Sequence, residues 1–433
     1  MHDQKKRRRV RRFFATIFSL QSGFVIFLFI FFSLVLVYFS IRSFLGGVAY
    51  LAYFREQLSK PTTGFTPFAT VIAPCKGLDE GLRENLSALL ELDYPEYEVI
   101  FVVDDESDPA VERIREILNR RDTEGESKEH SATPRLSGEN SLVIAPKAVD
   151  SSQKVENIRE AVKHADPRSE AYVFVDSDAR PQRDWLKNLV ASLNDETVGV
   201  ATGYRWFLSK KPTFASELRS AWNASIASAL GPESSFCWAG AMAIRRQLWE
   251  QLDLSDRLKG TLSDDFVIAR VVKDAGSVIR LVPQALTPSI ENCTMQGLFE
   301  FTTRQMKITR VYATPLWAMS FFGSALFCGV MLSAFLIVIL SRSNGLAVWS
   351  AIATLSIVSA LSIGKAWLRL KAVSLVIPAV SRQFIPQLTL WLLAPPVFLW
   401  NCICALLSRT INWRGIRYRL VSASQTERLN SYK

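Results

Sequence analysis

Two apolar runs in the first half of the chain end in aspartates. The run at residues 98–103 is followed by Asp104 and Asp105, and a later run is followed by Asp176 and Asp178. The carboxyl ends of parallel strands meet at one edge of a sheet, where ligands bind in α/β folds. An Asp-x-Asp triplet in extended backbone turns both carboxylates to one face, which suits Mg²⁺ or Mn²⁺. An aspartate after a strand is also a common turn residue. The presence of two acidic strand ends nevertheless favours a bound metal ion that contacts the phosphates of a nucleotide.

A third acidic pair, Asp264 and Asp265, opens a helix predicted over residues 264–273. Ser263 or Asp264 can cap this helix, and Asp265 can complement its dipole. On spacing alone, the structural interpretation of this pair is therefore favoured over a catalytic one.

The elements that must position these residues alternate between strand and helix. Strands are predicted at residues 69–73, 98–103, 141–145 and 171–175, helices at 80–92, 109–120 and 152–164, and an exposed loop at 121–140. Strands that are apolar on both faces and separated by helices are typical of a parallel sheet covered on both sides. The sequence thus predicts an α/β fold.

Long apolar runs lie on both sides of this region, and they account for a mean hydropathy of +0.13. Residues 13–40 are long enough to cross a bilayer core of about 30 Å, and we predict a retained anchor. Residues 44–54 are predicted to be a short interfacial or re-entrant piece, and 369–382 an interfacial stretch. Three further spans are predicted at residues 315–340, 346–367 and 385–407. The predicted division is an anchor at 1–60, a catalytic domain at 61–312, a membrane bundle at 313–407 and a basic tail at 408–433.

The net charge of +10 is concentrated at the two termini. Basic residues beside apolar spans are typical of contact with anionic lipid headgroups, whereas a nucleic-acid groove needs the charge on the folded domain. We therefore expect a membrane and no nucleic acid as partner. The six cysteines form no spaced metal pair, and nothing requires disulfides, in agreement with a reducing cytosol.

A series of short motifs runs along the chain in a fixed order. They are Lys76-Gly77, Leu92-Asp93-Tyr94-Pro95-Glu96-Tyr97-Glu98-Val99, Asp105-Glu106-Ser107-Asp108-Pro109-Ala110, Gln153-Lys154-Val155-Glu156-Asn157, Val175-Asp176-Ser177, Cys237-x-x-Gly240, Ser263-Asp264-Asp265-Phe266, and Trp413-Arg414-Gly415 with Tyr418-Arg419-Leu420. This series resembles the family 2 type of inverting glycosyltransferases, and among them most of all the ceramide glucosyltransferases. The likeness covers most of residues 66–420.

The resemblance implies a GT-A fold, a UDP-sugar donor, a divalent metal (Mg²⁺ or Mn²⁺) and a lipid acceptor. It also implies roles for single residues: nucleotide-sugar binding by Lys76, Asp104, Asp105, Lys154, Arg304 and Lys307, metal binding by Asp176 and Asp178, and catalysis by Asp265 with Asp264 beside it. In that family the aspartate at the position of Asp265 takes the proton from the acceptor hydroxyl. A single displacement with inversion needs such a base opposite the leaving group.

The chain departs from this family at the acceptor side. The family's Gln/Arg-x-x-Arg-Trp motif corresponds to residues 304–308, where Lys307 lacks the planar fork of arginine and Ile308 lacks an aromatic face. Asn223 stands where ceramide glucosyltransferases have a histidine. The donor chemistry is thus expected to be kept, and the acceptor stays open.

We therefore predict a multi-pass membrane hexosyltransferase that moves a hexose, with glucose as first candidate, onto a ceramide-like lipid. The alternatives are a processive polysaccharide synthase and a catalytically silent membrane scaffold with the same fold. Because nucleotide sugars are cytosolic, the catalytic domain is expected to face the cytosol. The basic N-terminus is also expected there, so either residues 13–54 form a membrane hairpin or the charge rule fails here.

Overall fold

The structure is a computed structural model. It describes the backbone of residues 2–126, 141–341 and 345–429, and the side chains of residues 23–119, 141–341 and 345–429. The helices are α1 (His2–Ser59), α2 (Leu82–Leu89), α3 (Pro109–Glu126), α4 (Gln153–Lys163), α5 (Trp185–Ala191), α6 (Phe214–Ala227), α7 (Arg246–Gln251), α8 (Leu254–Arg257), α9 (Asp264–Asp274), α10 (Met295–Tyr312), α11 (Thr314–Leu340), α12 (Leu346–Ser374), α13 (Phe384–Thr389) and α14 (Ala394–Leu407). Short 3₁₀ segments lie at Ser192–Asn194, Pro283–Ala285, Pro378–Gln383 and Leu390–Leu392.

The strands form one large sheet and two small ones. They are β1 (Ala69–Pro74), β2 (Tyr97–Val103), β3 (Ser141–Ile144), β4 (Ala171–Val175), β5 (Val198–Thr202), β6 (Arg205–Leu208), β7 (Ala241–Arg245), β8 (Val278–Leu281), β9 (Thr287–Ile290), β10 (Thr410–Trp413), β11 (Ile416–Ser422) and β12 (Gln425–Leu429). The large sheet has the order β3-β2-β1-β4-β7-β5-β8, in which β7 runs antiparallel to both neighbours and the other pairs are parallel. This sheet confirms the predicted α/β fold with mostly parallel strands.

Alternate side chains of the central strands pack into separate cores on the two faces of the sheet. Val71 on β1 lies in the core that includes α2 and α5, whereas its neighbour Ile72 lies in the core that includes α4 and α9. Helix α4 begins at Ser152, whose hydroxyl accepts a hydrogen bond from the N–H of Val155 at 3.2 Å. Such a cap satisfies one of the free donors at a helix start. The apolar strands and capped helices thereby fix the edge of the sheet where the aspartates lie.

In the part of the chain that the structure describes, three helices are long and apolar enough to cross a membrane: the part of α1 at Gly23–Ser59, α11 and α12. The third predicted C-terminal span, at 385–407, is not one straight helix. It is a pair, Pro378–Leu392 and Ala394–Leu407, bent by 59°. Pro395 and Pro396 stand at the start of α14, where they have no N–H to continue the preceding helix. The bent pair forms a fourth membrane span only if its two helical segments cross the membrane as one unit.

The two predicted interfacial pieces are wrong as separate elements. Helix α1 continues without a break to Ser59, so residues 44–54 form neither a re-entrant piece nor part of a hairpin. Phe54 is fully buried in the core of the catalytic domain, and the hydroxyl of Tyr53 donates to the carbonyl of Leu281 at 2.6 Å. The other predicted interfacial stretch, 369–382, begins inside α12, where Arg369 is buried, and ends in a 3₁₀ segment. Packing against the protein replaces contact with lipid headgroups at Tyr53 and Phe54, whereas the interfacial position of 369–382 stays a prediction.

The segment described from sequence only as a basic tail folds as an antiparallel sheet, β10-β11-β12. Tyr418 and Leu420 of β11 are buried in the core beside α4 and α9. The Tyr418 hydroxyl accepts a hydrogen bond from the N–H of Gln153 at 3.2 Å, and Arg428 donates to the carbonyl of Ala148. The chain thus returns from its last membrane helix to close one side of the catalytic domain.

The predicted loop at 121–140 begins too early, because α3 continues to Glu126. Residues 127–140 lie outside the described residues. The predicted helix at 80–92 is shorter, Leu82–Leu89, since Gly81 has a left-handed φ of 72° just before it.

Candidate active site

A cavity of about 680 Å³ opens at the carboxyl ends of β1 and β4 and extends toward α11. Most of the predicted site residues line it: Lys76, Lys154, Asp176, Asp178, Asp264, Asp265 and Arg304. Carboxylates that lie far apart in the sequence are therefore brought to one cavity. Asp104, Asp105 and Lys307 do not line it.

Two cations hold the aspartates that follow β4. Lys154 Nζ lies 2.7 Å from Asp176 Oδ1, and the Arg205 guanidinium spans Asp176 Oδ2 at 3.4 Å and Asp178 Oδ2 at 3.1 Å. Burial opposes ionisation of Asp176, but Lys154 and Arg205 outweigh it and lower its pKa. Burial dominates at Asp178 and raises its pKa to about 6. The two carboxyl groups therefore differ in acidity, and Asp176 has the lower pKa.

The residues after β4 fit a divalent cation in part. Asp178 Oδ1 is buried and has no hydrogen-bond partner among the described residues, so one hard oxygen ligand is free. Within 23–119, 141–341 and 345–429, no group of three or more Asp, Glu, His or Cys is placed to hold a metal. A Mg²⁺ or Mn²⁺ with two protein carboxylates takes its other ligands from water and substrate phosphates.

Asp265 is oriented by its own helix start. Its Oδ1 accepts hydrogen bonds from the Ser263 hydroxyl and, at 2.8 Å, from the N–H of Phe266. No donor among the described residues reaches Oδ2, on a side chain that lines the cavity. Burial, together with the neighbouring charge of Asp264, raises the pKa of Asp265 to about 6. A carboxylate so placed can accept a proton near neutral pH.

Lys154 and the Cys237-x-x-Gly240 motif connect the two acidic motifs. The Lys154 ammonium lies 2.7 Å from Asp176 Oδ1 and 3.2 Å from Asp264 Oδ2. The carbonyl of Gly240 accepts a hydrogen bond from the N–H of Asp176, and the Cys237 thiol donates to the carbonyl of Asp265. The loop before β7 therefore holds the backbone of both Asp176 and Asp265, which explains why a motif without ionised groups accompanies them.

The structure separates the aspartates after β2 from the cavity. Asp104 is buried and forms an ion pair with Lys76 at 2.8 Å. Asp105 points outward to Lys147 at 2.7 Å, and Lys147 and Ser107 lower its pKa. Lys76 itself does line the cavity. Asp105 can thus contact a ligand at the outer rim of the cavity, and Asp104 can act on a ligand indirectly by positioning Lys76.

Arg304 and Lys307 on α10 point in different directions. Within the part of the chain that the structure describes, the Arg304 guanidinium has no ion pair, and it lies 5.7 Å from the ring centroid of Trp413. Burial, together with Arg205 and Arg414, lowers the pKa of Arg304 to about 10. Lys307 turns away and donates to the carbonyl of Thr410 at 2.7 Å. This contact holds β10, and the role of Lys307 in donor binding stays a prediction.

Sequence reasoning missed six charged residues that line the cavity: Asp79, Arg205, Arg219, Glu291, Glu300 and Arg414. Arg205 lies between the two aspartates, Asp79 accepts from the Ser177 hydroxyl at 2.6 Å, and Arg414 pairs with Asp79 at 2.5 Å. Arg205 carries no sequence signal. Asp79 lies two residues after the Lys76-Gly77 motif, and Arg414 lies within the Trp413-Arg414-Gly415 motif. Their position in or near these motifs could have identified them as candidates.

The other end of the cavity is apolar and belongs to membrane helices. Leu316, Met319, Ser320 and Gly323 of α11 line it, and so does Phe398 of α14. The cavity thus joins the carboxylates to the surface of an apolar helix.

The sequence model of glycosyl transferase family 21 matches residues 34–426. The chain therefore belongs to glycosyl transferase family 21, the family of the ceramide glucosyltransferases. The GT-A-type α/β fold with apolar helices at both ends, predicted from sequence, is confirmed. Together with the apolar helices, this membership makes the protein a membrane glycosyltransferase.

Two solved structures are similar at a distance. The mannosyltransferase PcManGT from Pyrobaculum calidifontis, in complex with GDP-Man and Mn²⁺, is 20% identical, and the match covers 86% of this chain and 99% of that chain with a TM-score of 0.42. GalNAc-T7 with UDP, GalNAc and Mn²⁺ is 10% identical over 54% of this chain and 45% of that chain, with a TM-score of 0.37. The family assignment rests on the family model and not on these likenesses.

Proposed function

We propose that the protein transfers a hexose, with glucose as the first candidate, from a UDP-sugar to a hydroxyl of a ceramide-like membrane lipid. The reaction is an inverting displacement assisted by a divalent metal. The observation that carries this proposal is the two-ended cavity. Carboxylates and guanidinium groups line one end, and the apolar face of α11 lines the other. A polar donor and an apolar acceptor can therefore bind next to each other in this cavity.

Asp265 acts as the base in this proposal. The acceptor hydroxyl gives its proton to Asp265 Oδ2 as its oxygen attacks the anomeric carbon. The bond from that carbon to the diphosphate breaks at the same time, and the electron pair leaves with the nucleoside diphosphate. The fixed Oδ1 and the raised pKa of Asp265 support this role, since a general base works best with a pKa near the operating pH.

The leaving diphosphate needs positive charge. Arg304 supplies a cation that has no counter-ion among the described residues, and Lys154 and Arg205 lie beside the aspartates that follow β4. Asp176 and Asp178 would hold Mg²⁺ or Mn²⁺, which supplies further positive charge to the departing diphosphate when bound. Fixed cations in a cavity stabilise developing charge more than water does.

We place the catalytic domain on the cytosolic side, where nucleotide sugars are. Because α1 is one continuous helix, an α1 that crosses the bilayer carries the basic N-terminus to the opposite side. This orientation makes the protein an exception to the positive-inside bias. Labelling of single cysteines placed before and after α1, in sealed vesicles, tests this arrangement.

The central experiment uses the purified full chain in lipid nanodiscs with Mn²⁺ and a membrane lipid extract. It is offered labelled UDP-glucose, UDP-galactose, UDP-N-acetylglucosamine and GDP-mannose in parallel. We expect one UDP-hexose to give a monoglycosylated lipid, identified by mass, with an anomeric configuration opposite to that of the donor. Transfer to protein or soluble sugar, or growth of a polymer, contradicts the lipid assignment. Retained configuration contradicts the single displacement.

A further inference from the structure

The loop between β10 and β11 places an arginine in the cavity at a strained backbone position. Trp413 pairs with Ile416, so Arg414 and Gly415 form a two-residue hairpin turn. Both have positive φ, 51° and 77°, the conformation of a type I′ turn, which favours Asn-Gly. Among the described residues, Arg414 and Asp253 are the non-glycine residues in this region. Strain of this kind is found where a side chain is needed at that position.

The sheet that carries this turn is fixed to the catalytic domain on two sides. Lys307 of α10 donates to the carbonyl of Thr410 at 2.7 Å, and Tyr418 is buried and hydrogen-bonded to the start of α4. Ile411 and Ile416 on either side of the turn are also buried. The position of Arg414 is therefore set by packing, although it follows the last membrane helix in the chain.

The guanidinium of Arg414 has capacity left for a second anion. Its Nη1 lies 2.5 Å from Asp79 Oδ1, and this is the ion pair that the structure records for it among the described residues. An arginine carries five N–H donors, and the Arg414 side chain is 40% exposed at the cavity. Asp79 in turn accepts from Ser177, the residue between the two aspartates after β4.

The surroundings of Arg414 favour a phosphate as that anion. Arg304, for which the described residues provide no ion pair, lies 5.7 Å from the ring of Trp413. Arg414, the next residue in the chain after Trp413, pairs with Asp79, and both arginines line the same cavity. Planar guanidinium groups bind phosphate oxygens with two parallel hydrogen bonds. Two such groups near the metal-binding aspartates match the several oxygens of a diphosphate.

We propose that Arg414 binds the diphosphate of the donor, and that the C-terminal sheet is therefore a part of the donor site. In the free protein Asp79 holds the guanidinium of Arg414 in place. When the donor binds, the N–H groups of Arg414 that do not contact Asp79 donate to a phosphate oxygen. This inference rests on the proposed use of a nucleotide sugar.

The test measures binding of UDP, GDP and inorganic pyrophosphate to the full chain in nanodiscs with Mn²⁺, by calorimetry, together with Tm. Arg414→Asn removes the guanidinium but suits the left-handed turn. We expect it to weaken the binding of UDP and of pyrophosphate by the same factor, about 10- to 100-fold, while relief of strain in the turn offsets, in Tm, part of the loss of the ion pair with the nearly buried Asp79. Arg414→Lys keeps the charge and should lie in between. Arg417→Gln, at an exposed position of β11, is the matched control and should bind as wild type.

Each other outcome has a definite meaning. Unchanged pyrophosphate binding by Arg414→Asn overturns the proposal, and so does an equal loss in Arg417→Gln. If Arg414→Asn fails to fold, Arg414→Lys decides, because wild-type affinity in that variant overturns the proposal and a loss at unchanged Tm supports it. A wild-type chain that binds neither UDP nor GDP refutes the proposed function itself, and this inference with it.

Discussion

Replacement of Asp265 by asparagine separates proton transfer from binding. The asparagine Oδ1 can still accept from the Ser263 hydroxyl and the N–H of Phe266, so the helix start keeps its hydrogen bonds. The other oxygen becomes an amide NH₂, which cannot take a proton. Loss of a general base costs about 10²- to 10⁴-fold in rate, or roughly 3 to 5 kcal/mol in the barrier.

The assay for Asp265→Asn is single-turnover transfer from labelled UDP-hexose to lipid, alongside calorimetric binding of UDP with Mn²⁺. We expect kcat to fall by the factor above while the Kd for UDP changes by less than about threefold, because the hydrogen bonds of Asp265 are within α9 and its start. Asp274→Asn, exposed at the end of the same helix, is the matched control. A variant that keeps more than about a tenth of the rate, or that loses UDP binding as strongly as transfer, refutes the assignment of Asp265 as the base.

Three further predictions follow from single features. Since burial and Asp264 raise the pKa of Asp265 to about 6, protonation below that pH removes the base, and kcat/KM should fall about tenfold per pH unit there; a profile that stays level down to about pH 4.5 contradicts this. Gly240→Ala would place a Cβ 2.5 Å from Asp176 Oδ2 and against Trp238; we expect overpacking of about 1–3 kcal/mol, seen as a lower Tm with loss of transfer, whereas Gly231→Ala, with open space around it, leaves both unchanged. Gly323→Phe should narrow the apolar end of the cavity and raise the KM for lipid without a change in UDP binding, while Gly329→Phe on the same helix, outside the cavity, should not; equal kinetics of the two variants contradict the lipid route.

The strands could be predicted because burial dictates their composition. Strand β4 runs Ala171–Val175 as predicted, since each of its five side chains is buried and therefore apolar. Composition did not predict the structure of residues 385–407, because an apolar sequence is equally compatible with one straight helix and with two helices joined at a bend. Pro395 and Pro396 were the local signal for the break, and their effect depends on how the arms pack against neighbours.

The site could be predicted as far as its residues belong to motifs. Asp176 and Asp265 lie in one cavity because the edge of a parallel sheet collects the strand ends and the loops after them. Arg205 could not be placed, because a single arginine has no periodicity and its partners Asp176 and Asp178 lie far away in the chain. Arg414 stood in a recognised motif, but the sequence did not show that this motif folds back to the cavity. Lys307 shows the reverse case, in which a charge at a recognised motif points away from the cavity.

The continuous helix α1 has a consequence for which lipids can react. This helix is long and apolar enough to cross a bilayer, while Tyr50, Leu51 and Phe54 near its C-terminal end are buried in a core that also contains side chains of the large sheet. Because the continuous helix α1, and not a flexible linker, joins the apolar segment to the sheet, this helix fixes the height of the carboxylates above the bilayer midplane. Under the proposed transfer to a lipid, the acceptor would be selected by how far its hydroxyl lies below the headgroup region, as well as by the shape of its head. Bilayers of different thickness should then change the rate for a given lipid.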